Sequence, residues 1–202
     1  AKVLIVSRNK KKLDIAKKKI KLKNSIIDYF IGDVSNKKTA EKVVNKCNKL
    51  WGSVDILINN AGGPPPGKLL DHKDAEWEKS INTNLLSVIR FSRSVIPAMK
   101  IKKWGRIISI SSTVAKEPSP PMILSATSRA GVMSFSKTLA IEFAEFNITT
   151  NVISVGGVLT KRLTNLIQNE AKNKNKNFKK IFSDIKNTIP AKRFAEPNEI
   201  AN

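Results

Sequence analysis

The chain has 202 residues and a formal net charge of +21, with 37 lysines and arginines against 16 aspartates and glutamates. Its length suits a single domain, and its apolar content of 41% is ordinary for a globular protein. No apolar run approaches the roughly 20 residues that span a bilayer, and we expect no signal peptide. The single cysteine, Cys47, lies on an apolar helical face, so we expect a packed core thiol and a cytoplasmic protein.

The positive charge raises the question of a nucleic acid or an acidic membrane as partner. The lysines concentrate at 10–12, 17–19 and 172–180, and these stretches contain almost no aromatic residue and no recognisable nucleic-acid motif. Solvated helix faces in a chain rich in lysine and asparagine explain the same charge. Nucleic-acid binding is therefore an alternative, and a small-molecule substrate is the expected partner, with no metal and no membrane.

Short apolar runs alternate with helical patterns along the whole chain. The runs are apolar at successive positions, which is typical of strands in a parallel sheet with helices on both faces. We predict a doubly wound α/β fold, a three-layer α/β/α arrangement in one domain over 1–202. Strands are predicted at 2–6, 26–31, 54–58, 106–112 and 148–154, and helices around 13–20 and at 36–51, 74–101 and 126–145.

Five segments, taken in order, resemble the short-chain dehydrogenase/reductase family and its 3-oxoacyl-carrier-protein-reductase-like branch in particular. The resemblance implies a Rossmann-like domain that moves a hydride between a nicotinamide cofactor and a carbonyl or alcohol, with a 3-oxoacyl thioester as one candidate substrate. The segments are Asn59–Gly62, Asn84–Leu85, Ile108–Ser112, Asn151–Gly156 and Ile189–Ala201.

The ends of the chain differ from that family pattern. The chain opens in a strand without a methionine, it closes on what looks like the start of a helix at 199–202, and its nine glycines form no Gly-rich strand-to-helix turn. Parallel strands are added outward from a central strand by right-handed crossovers. We therefore expect the first strand with its Gly-rich turn and the last strand to be missing, which makes this an incomplete NAD(P)-binding domain.

The adenosine end of the cofactor is expected near Ser7 and Arg8. No carboxylate stands there to accept from the ribose 2′-OH, whereas a guanidinium can fork onto a 2′-phosphate, so NADP is favoured over NAD. A solvated surface arginine is the other explanation. The resemblance implies that Asp33 and Val34 contact the adenine, although a plain turn aspartate would fit the same pattern.

The remaining cofactor contacts are implied by the resemblance alone. The turn of Asn60, Ala61 and Gly62 would lie beneath the ribose, where small residues let the backbone approach closely. Val158 and Thr160 would meet the nicotinamide end.

The catalytic positions keep two family residues and change two. Ser112 matches the serine that orients the carbonyl, and Asn84 the asparagine that holds a relay water. The family tyrosine follows the serine by about 13 positions and the lysine follows about four later, which here are Ser125 and Arg129. An aliphatic hydroxyl is too weak an acid to replace a phenol, and arginine stays protonated.

No substitute acid is evident in the sequence. The only tyrosine, Tyr29, lies on an early strand on the adenine side. The only histidine, His72, follows a proline run at the expected substrate rim, and we expect a surface histidine there rather than a base.

Two accounts of the altered pair remain open. In the first, Arg129 is a fixed cation at the cofactor ribose or the substrate oxygen, and a water delivers the proton. In the second, the site is a non-catalytic NADP sensor. Structural explanations also exist, with Ser112 as a strand cap and Asn84 as a link from helix to strand.

The helices at 74–101 and 126–145 resemble those that the family uses between subunits, so a homo-dimer or homo-tetramer is expected. The aromatic and sulfur side chains in question are Phe91, Met133, Phe135 and Phe143.

Overall fold

Two sheets of parallel strands organise the first part of the chain. The structure, a computed structural model, describes residues 1–20 and 26–201 and divides into two compact units, Ala1–Ser154 and Val155–Asn202. In the first unit, β1 (Lys2–Ser7) runs parallel to β2 (Ile26–Ile31). In the same unit, β3 (Ile56–Asn59) runs parallel to β4 (Gly105–Ser112), which has β5 (Ile148–Val155) on its other side.

Eight α-helices are found among the described residues, and five of them belong to the first unit. The predicted helix at 74–101 is interrupted by a π-helical turn, Asn82–Leu86, which separates α3 from α4. The helix predicted from residue 36 begins three residues later, because a turn centred on Asp33 and Asn36 precedes it. The first-unit helices are α1 (Lys10–Lys19), α2 (Thr39–Trp51), α3 (Asp74–Ile81), α4 (Ser87–Lys102) and α5 (Ile123–Glu142).

One helix layer covers a face of both sheets. Phe91 of α4 packs with Ala40 and Val43 of α2, and this cluster receives Leu4 from β1 and Leu57 from β3. The same layer packs on β4 and β5 through a second cluster, so it joins the two sheets into one core. That second cluster contains Val44, Val95, Ile96, Met99, Ile107, Leu139 and Ile148.

The opposite face is covered differently for the two sheets. Side chains alternate along a strand, and Tyr29 of β2 meets Lys17 of α1 on the face away from the helix layer. Helices therefore lie on both faces of β1 and β2, which confirms the predicted three-layer α/β/α arrangement. Ile56 and Ile58 of β3 are exposed on this face within the described residues, whereas α1 packs on β1 and β2.

Cys47 lies on the buried face of α2, which confirms the predicted core thiol. Burial raises the pKa of the thiol. No helix in the described part of the chain is long and apolar enough to cross a membrane.

The second unit has its own apolar cluster. Its helices are α6 (Lys161–Asn173), α7 (Phe178–Thr188) and α8 (Pro197–Ala201). Ile167 and Ile181 are buried between α6 and α7, and Phe182 stacks edge-on against Phe194 with ring centroids 4.9 Å apart. The single dinucleotide-binding domain over 1–202 stays a prediction.

The aromatic side chains expected at a subunit contact serve the chain's own packing. Phe91 is part of the core, and Phe135 and Phe143 pack against the cluster around Ile107. The homo-oligomer stays a prediction, and the exposed large apolar side chains of these helices are Ile101 and Ile141.

Ile107→Ala should lower the free energy of unfolding by about 2–5 kcal/mol, since it leaves a cavity in the core. Ile107 is 0% exposed, whereas Ile101 at the end of α4 is 88% exposed. Ile101→Ala is therefore the matched control, with an expected change below about 0.5 kcal/mol. Urea titration of both variants measures the difference, and equal losses would contradict this packing.

Candidate active site

Arg8 and Asp33 lie together just beyond the carboxyl ends of β1 and β2. The Oδ1 atom of Asp33 accepts hydrogen bonds from Ser35, from its backbone N at 2.9 Å and its hydroxyl at 2.7 Å. The Oδ2 atom stands 3.6 Å from Nη1 of Arg8. The hydrogen bonds from Ser35, and after them the charge of Arg8, hold the pKa of Asp33 below its usual value, so the carboxyl stays ionised.

The neighbours of this pair have mainly structural contacts. Ser7 Oγ accepts from the backbone N of Asn9 at 3.4 Å, and Asn9 itself caps the start of α1. Val34 packs its side chain against the cluster around Phe91. Their predicted contacts with the cofactor stay predictions.

The turn after β3 contacts the π-helical turn closely. Asn60 is exposed, Ala61 is half-buried, and Gly62 has a φ of +97°. A Cβ added at Gly62 would overlap Oδ1 of Asn84. Only glycine fits this position, because both the backbone conformation and the space exclude a side chain.

Asn84 lies in the π-helical turn, and one of its two side-chain polar atoms makes no hydrogen bond with the described residues. Its Nδ2 donates to the carbonyl of Ser80 at 2.8 Å, and the residue is 4% exposed. Its Oδ1 is buried without a hydrogen-bond partner among the described residues. Single π-helical turns are frequent at functional sites, and a buried amide oxygen without a donor is unusual in a folded protein.

Ser112, Ser125 and Arg129 lie where β4 meets α5. Ser112 Oγ accepts from the backbone N of Val114 at 3.4 Å, so it caps the short 3₁₀ turn that follows β4. Arg129 Nη1 donates to the carbonyl of Ile110 at 2.8 Å. Ser125 is 5% exposed one turn before Arg129, and α5 contacts both β4 and the 3₁₀ turn.

α5 is also tied to α3 and to the π-helical turn that carries Asn84. Ser80 Oγ donates to the carbonyl of Leu124 at 3.2 Å, and a Cβ added at Gly131 would press on Leu85. All four predicted catalytic positions thus belong to elements of the first unit that contact one another. Their catalytic roles stay predictions.

The two other candidate acids are held elsewhere. A hydrogen bond between Tyr29 and Asp14 of α1 raises the pKa of Tyr29. The same bond keeps the phenol on the α1 face of β2. His72 is not a surface histidine: its side chain is 3% exposed, with Nδ1 3.4 Å from Oε2 of Glu76. The prediction is wrong because Gly67, which has no side chain, lies directly over the imidazole.

Val158 and Thr160 lie in the second unit. Val158 pairs with Ala195 in an isolated β-bridge, and Thr160 Oγ1 accepts from the backbone N of Leu163 at 3.3 Å, which caps α6. Their predicted contacts with the nicotinamide stay predictions. No group of three potential metal ligands occurs in the part of the chain that the structure describes.

Arg90 makes polar contacts near the candidate site that the sequence did not predict. It sits on α4, with Nη1 donating to the carbonyl of Ser35 at 2.9 Å and Nη2 donating to Oδ1 of Asn82 at 3.1 Å. The sequence offers no signal for this, because an arginine on one side of an amphipathic helix is usually a solvated charge.

Parallel strands with helices on both faces and site residues beyond their carboxyl ends define a doubly wound, dinucleotide-binding class of protein. The sequence profile described as short chain dehydrogenase matches residues 1–171. The chain is 30% identical to 2,3-dihydro-2,3-dihydroxybenzoate dehydrogenase of Bacillus subtilis over 202 residues, which are 100% of this chain and 77% of the relative. It therefore belongs to the short-chain dehydrogenase family, whose members are NAD(P)-dependent oxidoreductases.

Two further similarities agree with that assignment. The chain is 34% identical to 3-oxoacyl-(acyl-carrier-protein) reductase of Haemophilus influenzae over 183 residues, covering 87% of this chain and 71% of the relative. It is similar to a solved structure of an actinorhodin polyketide ketoreductase variant with NADPH, with a TM-score of 0.93 and 28% identity, over 98% of this chain and 77% of that one.

Gly62→Ala should destabilise the chain more than Gly52→Ala. Both glycines have left-handed φ values, +97° and +90°, so a strain of about 1–2 kcal/mol is common to both. A Cβ at Gly52 meets nothing within 4 Å, whereas one at Gly62 overlaps Asn84. Urea unfolding measures both variants, and the double variant Gly62→Ala/Asn84→Ala should lose less than the sum of the two single changes. Equal losses at the two glycines would contradict this contact.

Proposed function

We propose that this chain is an NADP-dependent carbonyl reductase or alcohol dehydrogenase whose proton comes from water instead of a tyrosine. The observation that carries the proposal is the buried Oδ1 of Asn84, without a donor among the described residues and facing the Gly62 turn. An ordered water that donates to this atom would have to lie away from Gly62, because the backbone there already fills the space on that side. Ser112 and Arg129 lie on the elements next to it.

The described residues fit a nicotinamide dinucleotide. Gly62 lets the backbone approach a ligand closely, and the exposed Arg8 offers a cation that a 2′-phosphate can bind. NADPH is named with the related ketoreductase, which supports NADP over NAD here. When bound, the nicotinamide gives or takes the hydride.

Arg129 takes the electrostatic part of the reaction in this proposal. A guanidinium stays protonated at any ordinary pH, so it cannot relay a proton but can stabilise an alkoxide as charge develops. The bond from Arg129 to the carbonyl of Ile110 holds that charge two residues before Ser112 on β4. Ser112 donates a hydrogen bond to the substrate oxygen, and the water on Asn84 supplies the proton. The hydroxide that remains takes a proton from the solvent, and alcohol oxidation runs through the same steps in reverse.

The substrate class follows from the relatives rather than from the site. The similarity to a 3-oxoacyl-(acyl-carrier-protein) reductase makes a 3-oxoacyl thioester the first candidate. The acid that the family draws from tyrosine is absent, since Ser125 occupies that position. We expect slower turnover and a preference for activated carbonyls.

A nucleotide sensor without turnover is the second candidate. The observation in its favour is that Arg129, which replaces the family lysine, is bonded to a backbone carbonyl, a contact that a purely structural residue would also make. The two functions share cofactor binding and differ only in whether a carbonyl substrate is reduced.

Arg8→Ala should raise the Kd for NADPH by about 10- to 100-fold, because it removes a charge-assisted contact worth about 1.5–3 kcal/mol. The Kd for NADH should change by less than about threefold, since NADH has no 2′-phosphate. Fluorescence titration measures both constants, with the nearby exposed Lys10→Ala as the matched control. An unchanged preference in Arg8→Ala would remove Arg8 from the phosphate site.

Arg129→Met should lower kcat for a carbonyl panel about 100-fold, the usual cost of losing a donor to an oxyanion. Lys137→Met, an exposed cation two turns along α5, should have no effect. The pair Ser125→Tyr/Arg129→Lys should raise kcat by at least about tenfold, because it restores a general acid. NADPH consumption measures these rates. A wild-type chain that binds NADPH but reduces nothing would instead favour the sensor.

A further inference from the structure

We propose that Arg90 and Ser35 are positioning residues that set the preference for NADP, because they hold Asp33 and, through Asp33, the guanidinium of Arg8. The inference rests on the proposed function, and it concerns residues that lie outside the predicted site. Its basis is a continuous line of polar contacts from the π-helical turn to the end of β1.

The line begins at Asn82, the first residue of the π-helical turn. Its Nδ2 donates to the carbonyl of Glu78 at 2.9 Å, which fixes the orientation of the carboxamide. Its Oδ1 is thereby presented to Nη2 of Arg90, at 3.1 Å. The other terminal nitrogen of Arg90 donates to the carbonyl of Ser35 at 2.9 Å. The guanidinium therefore bridges α4 and the loop after β2.

The line continues from Ser35 to Asp33. Two hydrogen bonds from Ser35 converge on Oδ1 of Asp33, so the carboxylate can turn little. The Oδ2 atom is left facing Arg8 at 3.6 Å. Asp33 is charged, because the hydrogen bonds from Ser35 lower its pKa.

Arg8 needs this support more than a buried arginine would. Its side chain is 74% exposed, and an exposed arginine loses considerable rotamer freedom when it binds a ligand. An ion pair through Nη1 restrains the side chain before binding. Arginine has several N–H donors in a planar fork, so others remain for a phosphate.

Charge alone does not explain such a preference, because lysines are abundant on this chain. A 2′-phosphate is distinguished from a 2′-hydroxyl by a guanidinium held at one place, since bidentate contacts depend on orientation. Both cofactors share the adenine that Asp33 is expected to contact, so loosening Asp33 should weaken NADPH binding more than NADH binding.

The experiment measures the ratio of the Kd for NADH to the Kd for NADPH by fluorescence titration of the full chain. Arg90→Met removes both bonds of the bridge, and Ser35→Ala removes only the 2.7 Å hydroxyl contact to Asp33. Each should lower the ratio by at least about threefold. Arg93→Met is the matched control, an exposed arginine on the same helix, and should leave the ratio unchanged.

A double-mutant cycle tests whether the effect passes through Arg8. In an Arg8→Ala background, Arg90→Met should not change the ratio further. Equal weakening of both cofactors by Arg90→Met, or a fall in the ratio that persists without Arg8, would overturn the inference. Arg90→Lys keeps the charge but cannot bridge both acceptors, so it should lower the ratio as Arg90→Met does. It replaces Arg90→Met in the test if that variant folds poorly.

Failure of the proposed function would look different. A wild-type chain that binds neither cofactor rejects the function and the inference together. A wild-type chain that binds both equally rejects the inference and the NADP preference but leaves a dinucleotide site in place.

Discussion

Parallel strands end at a common edge, and the candidate site of this chain depends on that constraint. Since β1 and β2 run in the same direction, Arg8 and Asp33 follow neighbouring strand ends and can form an ion pair. β3 and β4 are parallel in the same way, which places the Gly62 turn and Ser112 after adjacent ends. Antiparallel pairing would put these residues at opposite edges of each sheet.

The helix layer supplies further polar residues of the candidate site at this edge. Its apolar side binds both sheets through Phe91 and Met99, and the helix that carries them also carries Arg90. The π-helical turn before it widens the helix at Asn84 and leaves an amide oxygen facing Gly62. The same segment therefore packs against the sheets on its apolar side and positions polar groups on its other side.

In the proposed function, Ser125 and Arg129 stand where the family has tyrosine and lysine, and that exchange would change what the site can do more than how it is built. The spacing along α5 is kept, so both side chains remain on one helical face near β4. In that comparison a serine hydroxyl stands in place of the phenol, and a permanently charged guanidinium that bonds to the backbone of β4 stands in place of the lysine. Under that proposal the electrostatic contribution persists, whereas the acid comes from water.

The amino-acid sequence by itself determined the strand order along the chain and the doubly wound class, and it supplied the prediction of an altered pair at Ser125 and Arg129. These rest on local periodicity and on motif spacing such as that from Ser112 to Ser125, which need no knowledge of distant contacts. The boundaries of β1 to β5 followed within two residues, because apolar runs end where the strands do.

Contacts between distant residues were decided only by the tertiary structure. The burial of His72 depends on Gly67 lying above it, and the bridge from Arg90 to Ser35 joins residues 55 apart in sequence. The π-helical turn gives no periodic signal, since its neighbours continue the helical pattern on both sides. From the sequence, a long charged side chain such as Arg90 is predicted to be solvated, and only the fold shows which groups it contacts.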